Sequence, residues 1–272
     1  MNCGELLIIG GAEDKCLKGE VLNKFVELAT RNSDGGGIGI LPTASEIPEE
    51  VSTEYIKIFR DLGVGRVEVI KLDSRQDADD PAICEQLTSF SSIFISGGNQ
   101  SRLSELIVKT KFHDALSKAW HKGMVIAGTS AGASILGKHM IIAADTMLND
   151  NKLKVEIGVG FGFLDGLIID QHFSQRGRFD RLLSAIAGNK EIMGIGIDEN
   201  TAILVKDGHF EVVGQHQVLV LDGSNSDYIN ITSSDNGSEE LTLSGFNLHA
   251  LTRGYRFDLL TRKLLMKKGI QQ

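Results

Sequence analysis

The sequence predicts an α/β fold with a doubly wound, mostly parallel sheet and antiparallel C-terminal strands. Through the first two thirds of the chain, apolar runs of strand length alternate with helical patterns. These runs are continuously apolar, as expected for strands that are covered on both faces. Polar, glycine-rich segments follow the runs, where the working groups of such sheets collect. With 272 residues, 42% of them hydrophobic, and only three prolines, we expect a single α/β domain over residues 1–272.

Each predicted element follows from one of these patterns. The strand-like runs are 5–11 (ELLIIGG), 37–45 (GIGILPTAS), 67–72 (VEVIKL), 92–98 (SIFISGG) and 124–128 (MVIAG). The main helical patterns are 16–30, 48–63 and 101–120.

From about Leu164 the pattern changes to short strand-like runs separated by Asp-Gly and Gly turns. The runs are 167–173 (LIIDQHF), 194–205 (GIGIDENTAILV), 209–214 (HFEVVG) and 217–223 (QVLVLDG). They predict an antiparallel extension of the same sheet. Residues 176–189 predict one helix that ends at Gly-Asn, and the polar segment 224–240 predicts a surface loop.

Composition narrows the class of protein. A formal net charge of −8 and a pI near 5.4 argue against a nucleic-acid partner, which clustered Lys and Arg would have to bind. Three cysteines without C-x-x-C spacing suggest neither a disulfide framework nor a zinc ribbon. No apolar run approaches the roughly 20 residues of a membrane span, and the N-terminus lacks a signal pattern. We therefore expect a cytoplasmic protein without membrane contact.

The segment Gly128-Thr129-Ser130-Ala131-Gly132 has the form of a nucleophile elbow, because it follows an apolar run and precedes helix-forming residues. Its glycines permit a sharp turn that exposes the serine hydroxyl. The same small residues also suit any tight turn between a strand and a helix, so the motif alone leaves both interpretations open.

A serine nucleophile needs a base and a group that orients the base. Of seven histidines, only His172 falls at the end of a predicted strand, where it would share an edge with Ser130. The orienting acid stays open on spacing alone. The candidates are Asp198, Glu199, Asp170, Asp165 and Asp145.

Two further features suggest a site for acyl transfer. The backbone N–H of Ala131 and one from Gly97-Gly98 would form an oxyanion hole. Arg176, Arg178 and Arg181 follow the proposed base closely. Such a cluster is usually a solvated helix surface, yet guanidinium groups beside a candidate base also suit the binding of substrate carboxylates.

Seven motifs in order resemble the cyanophycinases, serine exopeptidases of peptidase family S51 in the class I glutamine amidotransferase-like superfamily. They are 10–15 (GGAEDK), 41–45 (LPTAS), 96–103 (SGGNQSRL), 127–134 (AGTSAGAS), 170–178 (DQHFSQRGR), 181–183 (RLL) and 194–202 (GIGIDENTA). The resemblance implies a flavodoxin-like sheet, a homodimer, and no cofactor or metal. It also implies hydrolysis of cyanophycin, a poly-aspartate with arginine on its β-carboxyls, to β-aspartyl-arginine dipeptides.

The resemblance also implies roles for individual residues. Ser130 would be the nucleophile, His172 the general base and Glu199 the orienting acid, with Gly98 and Ala131 in the oxyanion hole. The residues expected around the substrate are Gln100, Asp170, Gln171, Arg176, Arg178 and Arg181. We hypothesise that the arginines hold backbone carboxylates while Asp170 meets the arginyl groups of the polymer.

Two alternatives remain at this point. An α-aspartyl dipeptidase of the same superfamily would share the serine motif and the fold, but it needs a pocket for only one N-terminal aspartate. The arginine-rich segment 170–181 favours the polymer-degrading enzyme over it. A non-catalytic binding protein on the same fold would require Ser130 to be idle.

Overall fold

Two β-sheets organise the protein in the computed structural model, which describes residues 3–31, 36–147, 152–187, 189–233 and 239–265. The larger sheet has nine strands in the order β17-β16-β11-β10-β1-β5-β4-β2-β3. Its parallel strands are β1 (Leu6–Ile9), β2 (Ile38–Leu41), β3 (Val67–Val69), β4 (Ser92–Ile95) and β5 (Val125–Thr129). Its antiparallel strands are β10 (Thr201–Lys206), β11 (His209–Gly214), β16 (Arg256–Asp258) and β17 (Lys263–Leu265).

This arrangement confirms the predicted fold class. The winding reverses between β2 and β4, as it does in flavodoxin-like sheets. Burial of β1 shows why its sequence is continuously apolar. Leu6 and Ile8 pack into one hydrophobic cluster, Leu7 and Ile9 into another on the opposite face, and all four are at most 1% exposed.

Helices cover both faces of the parallel strands. They are α1 (Glu20–Thr30), α2 (Pro48–Asp61), α3 (Pro81–Thr88), α4 (Gln100–Ile107), α5 (Lys111–His121) and α6 (Ala131–Ser134), whereas α7 (Phe179–Ala187) packs against the smaller sheet. One face is closed by α1 and α2 through an aromatic cluster of Phe25, Phe59 and Phe94, whose ring centroids lie 5.2 to 5.5 Å apart. On the other face, α4 and α5 contribute Leu103, Phe112 and Leu116.

The second sheet corrects the prediction that the later strands all extend the first one. Its six strands have the order β15-β12-β9-β8-β6-β7. They are β6 (Gly137–Met147), β7 (Lys152–Val159), β8 (Leu164–Gln171), β9 (Met193–Ile197), β12 (Val218–Asp222) and β15 (Asn247–Leu251). The strand-like segment 194–205 divides into two strands, because a turn at its polar residues Asp198 to Asn200 carries the chain from β9 in this sheet to β10 in the other.

Two further boundaries differ from prediction. The segment 224–240 is no plain loop, because β13 (Tyr228–Ser233) pairs with β14 (Glu239–Ser244), while residues 234–238 lie outside the described part. The alternation of Ile229 and Ile231 with polar residues is a strand signal that the polar composition obscured. The helix predicted over 176–189 begins only at Phe179. Within the described ranges, no helix is long and apolar enough to cross a membrane.

Candidate active site

Ser130 lies at a sharp turn between β5 and α6. Its backbone has φ +52° and ψ −112°, a conformation that residues other than glycine seldom adopt. Its N–H donates to the carbonyl of Ile9 at 3.1 Å, and its carbonyl accepts the N–H of Ala133 and of Ser134. These bonds hold the strained residue in place, and its side chain is partly exposed at the carboxyl edge of the sheet.

His172 reaches Ser130 from the second sheet. It follows the last residue of β8, has φ +48°, and donates its backbone N–H to the carbonyl of Gly10 at 2.8 Å. Its ring Nε2 lies 3.0 Å from the Oγ of Ser130. The prediction from strand ends therefore placed this imidazole at the correct edge, although the strand belongs to another sheet.

Glu199 completes the constellation. One carboxylate oxygen, Oε1, lies 2.6 Å from Nδ1 of His172. The neighbouring carboxylate of Asp198 points elsewhere: it is 5% exposed and accepts the backbone N–H of Ser174 at 2.9 Å and of Gln217 at 3.3 Å. Geometry thus separates two adjacent carboxylates that spacing left open.

Two other acids on the sequence-based list have partners other than the imidazole ring. Asp170 pairs with Arg181, and Asp165 pairs with Lys138 at 2.9 Å. The side chain of Asp145 lies outside the described part of the structure.

The environment of His172 favours a neutral imidazole. Burial lowers the pKa of this ring below its usual value near 6.5, and the nearby cations Arg176 and Arg178 lower it further. The hydrogen bond to Glu199 acts in the opposite direction without reversing the shift. With Nδ1–H directed at Glu199, Nε2 is the nitrogen that is free to accept the proton of Ser130.

Two backbone N–H groups suit an oxyanion. Within the described residues, neither the N–H of Ala131 nor that of Gly98 has a hydrogen-bond acceptor. Gly97 borders the serine, since a Cβ built on it would lie 3.2 Å from Cβ of Ser130. Gly98 has φ +141°, and a side chain there would collide with the carbonyl of Ala44 at 2.0 Å. Glycine is therefore required where this loop crosses the segment after β2.

The loop after β1 provides a common backbone frame for the site. Three successive carbonyls, of Ile9, Gly10 and Gly11, accept the N–H of Ser130, of His172 and of Asn200, the residue after Glu199. A Cβ on Gly11 would lie 2.3 Å from Cε1 of His172, so the imidazole packs directly on the loop backbone. Positive φ values recur here, at Ala12, Ser130, His172 and Asn200.

The expected substrate residues form an internal network. Asp170 is 1% exposed and receives two N–H groups of Arg181, one of them from Nε at 2.7 Å. Arg178 donates from Nη1 to the carbonyl and to Oε1 of Gln171, at 2.5 and 2.7 Å. Burial, together with the neighbouring Arg181, lowers the pKa of Arg178 to about 10.

This network corrects the hypothesis that Asp170 itself meets the arginyl groups of a substrate, because its carboxylate is buried and paired. Arg178 precedes α7, whereas Arg181 lies within it. Arg176 is exposed, while Gln100 donates its amide to the carbonyl of Ile141 at 2.9 Å. The six residues expected around the substrate therefore differ widely in their access to solvent.

Sequence reasoning missed one buried carboxylate close to the serine. Glu13 is 4% exposed and accepts hydrogen bonds from the hydroxyl groups of Tyr55 and Thr129. The available signal was its position directly after β1, in the polar segment Gly11 to Asp14. Its partners, from α2 and from the end of β5, are remote in sequence, so spacing gave no sign of the network.

The described ranges contain no group of three or more His, Cys, Asp or Glu side chains that could hold a metal ion. Cys3, Cys16 and Cys84 are all unpaired thiols.

Comparisons with known proteins point to one peptidase family and to one fold. A family model described as peptidase family S51 matches residues 6–213. A cyanophycinase of Synechococcus elongatus is 35% identical over 97% of this chain and 82% of its own length. One from Geminocystis herdmanii is 35% identical over 95% of this chain and 94% of its own. The crystal structure of a peptidase from an acI-B1 actinobacterium superposes with a TM-score of 0.65 at 22% identity, covering 94% of this chain and 97% of that one.

Proposed function

The chain belongs to peptidase family S51 and is a serine peptidase, and we propose that it is an exopeptidase that hydrolyses cyanophycin to β-aspartyl-arginine dipeptides. One observation carries the proposal at the level of chemistry. The hydroxyl, imidazole and carboxylate of Ser130, His172 and Glu199 are connected by contacts of 3.0 and 2.6 Å, which is the arrangement that serine acyl transfer requires.

In the first half of the proposed reaction, Oγ of Ser130 attacks the carbonyl carbon between two aspartate residues. Nε2 of His172 takes the hydroxyl proton, and Glu199 stabilises the resulting imidazolium through Nδ1–H. The carbonyl oxygen becomes an oxyanion that the N–H groups of Ala131 and Gly98 receive. The turn at Ser130 acts as a nucleophile elbow, because it exposes the hydroxyl while the strained backbone is held by hydrogen bonds.

In the second half, the imidazolium of His172 gives its proton to the departing amine, and the C–N bond breaks to leave an acyl-enzyme on Ser130. A water molecule then attacks the ester carbonyl while His172 takes one of its protons. Collapse of the second tetrahedral intermediate returns that proton to Oγ and releases the carboxylic acid product. A neutral imidazole is needed at both attacks, which fits the lowered pKa of His172.

The substrate would be bound by polar groups that have no hydrogen-bond partner in the internal network. Among described atoms, Nε and Nη2 of Arg178 have no acceptor, and Arg176 is exposed beside the imidazole. We assign these two guanidinium groups to the backbone carboxylates of the polymer, since arginine binds carboxylates in a bidentate manner. Asp170 and Arg181 would position Arg178 and Gln171 from behind rather than touch the substrate.

The proposal extends to the setting of the enzyme. A homodimer and a cytoplasmic location remain predictions that stem from the family resemblance and from the unpaired thiols. Light scattering coupled to size-exclusion chromatography tests the first of them.

One substrate comparison tests the proposed function. The purified enzyme is incubated with cyanophycin and, separately, with α-linked Asp-X dipeptides, and the products are identified by mass spectrometry. Release of β-aspartyl-arginine from the polymer alone supports the proposal. Cleavage of the dipeptides alone would assign the chain as an aspartyl dipeptidase. If no aspartyl substrate is cleaved and Ser130 is not labelled by a serine-directed reagent, the chain is a binding protein.

A further inference from the structure

The buried carboxylate of Glu13 has no part in the proposed reaction. It nevertheless accepts a hydrogen bond from Thr129, the residue that precedes the proposed nucleophile. Its Oε2 accepts the hydroxyl of Thr129 at 2.6 Å, and its Oε1 accepts the hydroxyl of Tyr55. Tyr55 is buried at 5% exposure, and desolvation together with the charge of Glu13 raises its pKa, so its hydroxyl stays protonated as a donor.

This contact is not an ordinary structural salt bridge. Within the described residues, no cation contacts Glu13, because the nearby Lys15 pairs with Glu54 at 2.6 Å and lies over the ring of Tyr55. A carboxylate that is buried against two neutral hydroxyl groups costs more free energy than a neutral or apolar residue there. Stability of the fold therefore does not explain why a carboxylate is buried here, whereas a role in the neighbouring site does.

The position of Glu13 couples two parts of the backbone that hold the reacting groups. Glu13 belongs to the loop that follows β1, and the carbonyls of Ile9, Gly10 and Gly11, at the end of β1 and the start of this loop, receive the N–H groups of Ser130, of His172 and of Asn200. Through Thr129, the same loop is fixed to the end of β5, where Thr129 pairs with Ile9 in the parallel ladder. Through Tyr55, it is fixed to α2.

We propose that Glu13 is a positioning residue. Its carboxylate fixes the loop after β1 to Thr129 and Tyr55. It thereby keeps the hydroxyl of Ser130 within hydrogen-bonding distance of the imidazole of His172. It touches neither substrate nor reacting atoms. Because a displacement of about 1 Å between reacting groups can cost about 100-fold in rate, loss of these hydrogen bonds of Glu13 should lower reactivity without weakening substrate binding. The inference rests on the proposed role of Ser130 as nucleophile.

The test uses the rate at which a fluorophosphonate probe labels Ser130, together with kcat and KM on cyanophycin. Thr129→Val keeps the shape of the side chain but removes its hydroxyl, Glu13→Gln removes the charge, and Thr129→Ser keeps the hydroxyl as the conservative variant. Ser52→Ala is the matched control, since it removes a buried hydroxyl from the same helix as Tyr55 without touching Glu13. Thermal unfolding of every variant is recorded alongside.

Thr129→Val and Glu13→Gln should each slow labelling by at least about tenfold, with kcat falling and KM unchanged. Thr129→Ser and Ser52→Ala should label close to the wild-type rate. The double variant, Thr129→Val with Glu13→Gln, should be labelled only a little more slowly than the more impaired single variant, because both changes break the same contact.

Wild-type labelling rates in Thr129→Val and Glu13→Gln would overturn the proposal. So would a loss that Ser52→Ala reproduces at an equal fall in melting temperature, because that result marks a structural role only. If Glu13→Gln does not fold, Thr129→Val against Thr129→Ser still decides the outcome. Labelling does not depend on the substrate, so a wild-type enzyme that is labelled but leaves cyanophycin intact refutes the proposed function and not this inference.

Discussion

The triad and the arginine cluster lie side by side but are built in opposite ways. The backbone N–H groups of Ser130, of His172 and of Asn200, the residue after Glu199, donate to three successive carbonyls at the end of β1 and just beyond it. Among the described residues, the side chains of Ser130, His172 and Glu199 make hydrogen bonds only with one another. The guanidinium groups are held mainly by side chains, since Arg181 donates to the carboxylate of Asp170, and Arg178 donates to that carboxylate and to Gln171. Under the proposed function, main-chain geometry would preassemble the reacting groups, whereas substrate recognition would depend on buried charged side chains that are paired with one another.

The largest expected effect distinguishes two adjacent carboxylates within the triad region. Glu199→Gln should lower kcat by about 10³-fold to 10⁴-fold, because the amide cannot stabilise an imidazolium at His172. Steady-state kinetics on cyanophycin measure it. Asp198→Asn is the matched control: its oxygens serve backbone N–H groups, so we expect a loss of stability with kcat largely retained. A reversed order of the two variants would show that the acid has been misassigned.

Within the arginine cluster, the comparison predicts a loss of stability rather than of chemistry. Arg181→Ala leaves the carboxylate of Asp170 buried at 1% exposure without its bidentate partner. Removal of one member of a buried ion pair costs about 3 to 5 kcal/mol of unfolding free energy. Denaturant unfolding of the variant measures this cost. An unchanged denaturant concentration at the unfolding midpoint would mean that other groups stabilise the buried carboxylate of Asp170.

A smaller effect is expected at Arg178, whose Nε and Nη2 are available for substrate. Arg178→Ala should leave the fold intact and raise KM for cyanophycin about tenfold, which corresponds to the loss of one charged hydrogen-bonding group. Arg60→Ala, an exposed arginine at the end of α2, serves as the control. Unchanged hydrolysis of the polymer by Arg178→Ala would refute its role in recognition.

The smallest effect concerns electrostatic communication between the two regions. Because the pKa of His172 is lowered, the neutral base persists below pH 6.5, so kcat/KM should rise with pH and reach half of its plateau below pH 6.5. Arg176 contributes to the lowering, so Arg176→Ala should shift the rising limb toward higher pH. The shift should stay below about one pH unit, since an exposed charge contributes less than about 1 kcal/mol. A shift toward lower pH would contradict the account.

The same contrast explains how far the sequence could predict the structure. The sequence predicts that Ser130 and His172 share an edge of the fold, because both follow apolar strand-like runs. This signal is local in the chain. The role of Asp170 was misjudged because a buried pair with Arg181 depends on tertiary packing. Its spacing of eleven residues gives no sign of contact.

The second sheet was missed for a related reason. Residues 194–205 are apolar on both sides of the polar positions 198–201, and the turn between the two sheets, with Asn200 at positive φ, falls at these polar residues. An apolar run predicts a strand without stating which sheet receives it. Choosing between Asp198 and Glu199 required that same turn, because it directs one carboxylate toward the backbone of Ser174 and the other toward the imidazole.

The most direct test of the central claim is cyanophycin hydrolysis by the wild-type enzyme and by Ser130→Ala, with the released product identified by mass. The account predicts β-aspartyl-arginine from the wild type and a loss of about 10⁶-fold in kcat for Ser130→Ala at unchanged thermal stability. Release of the dipeptide by Ser130→Ala at a rate near that of the wild type would contradict it.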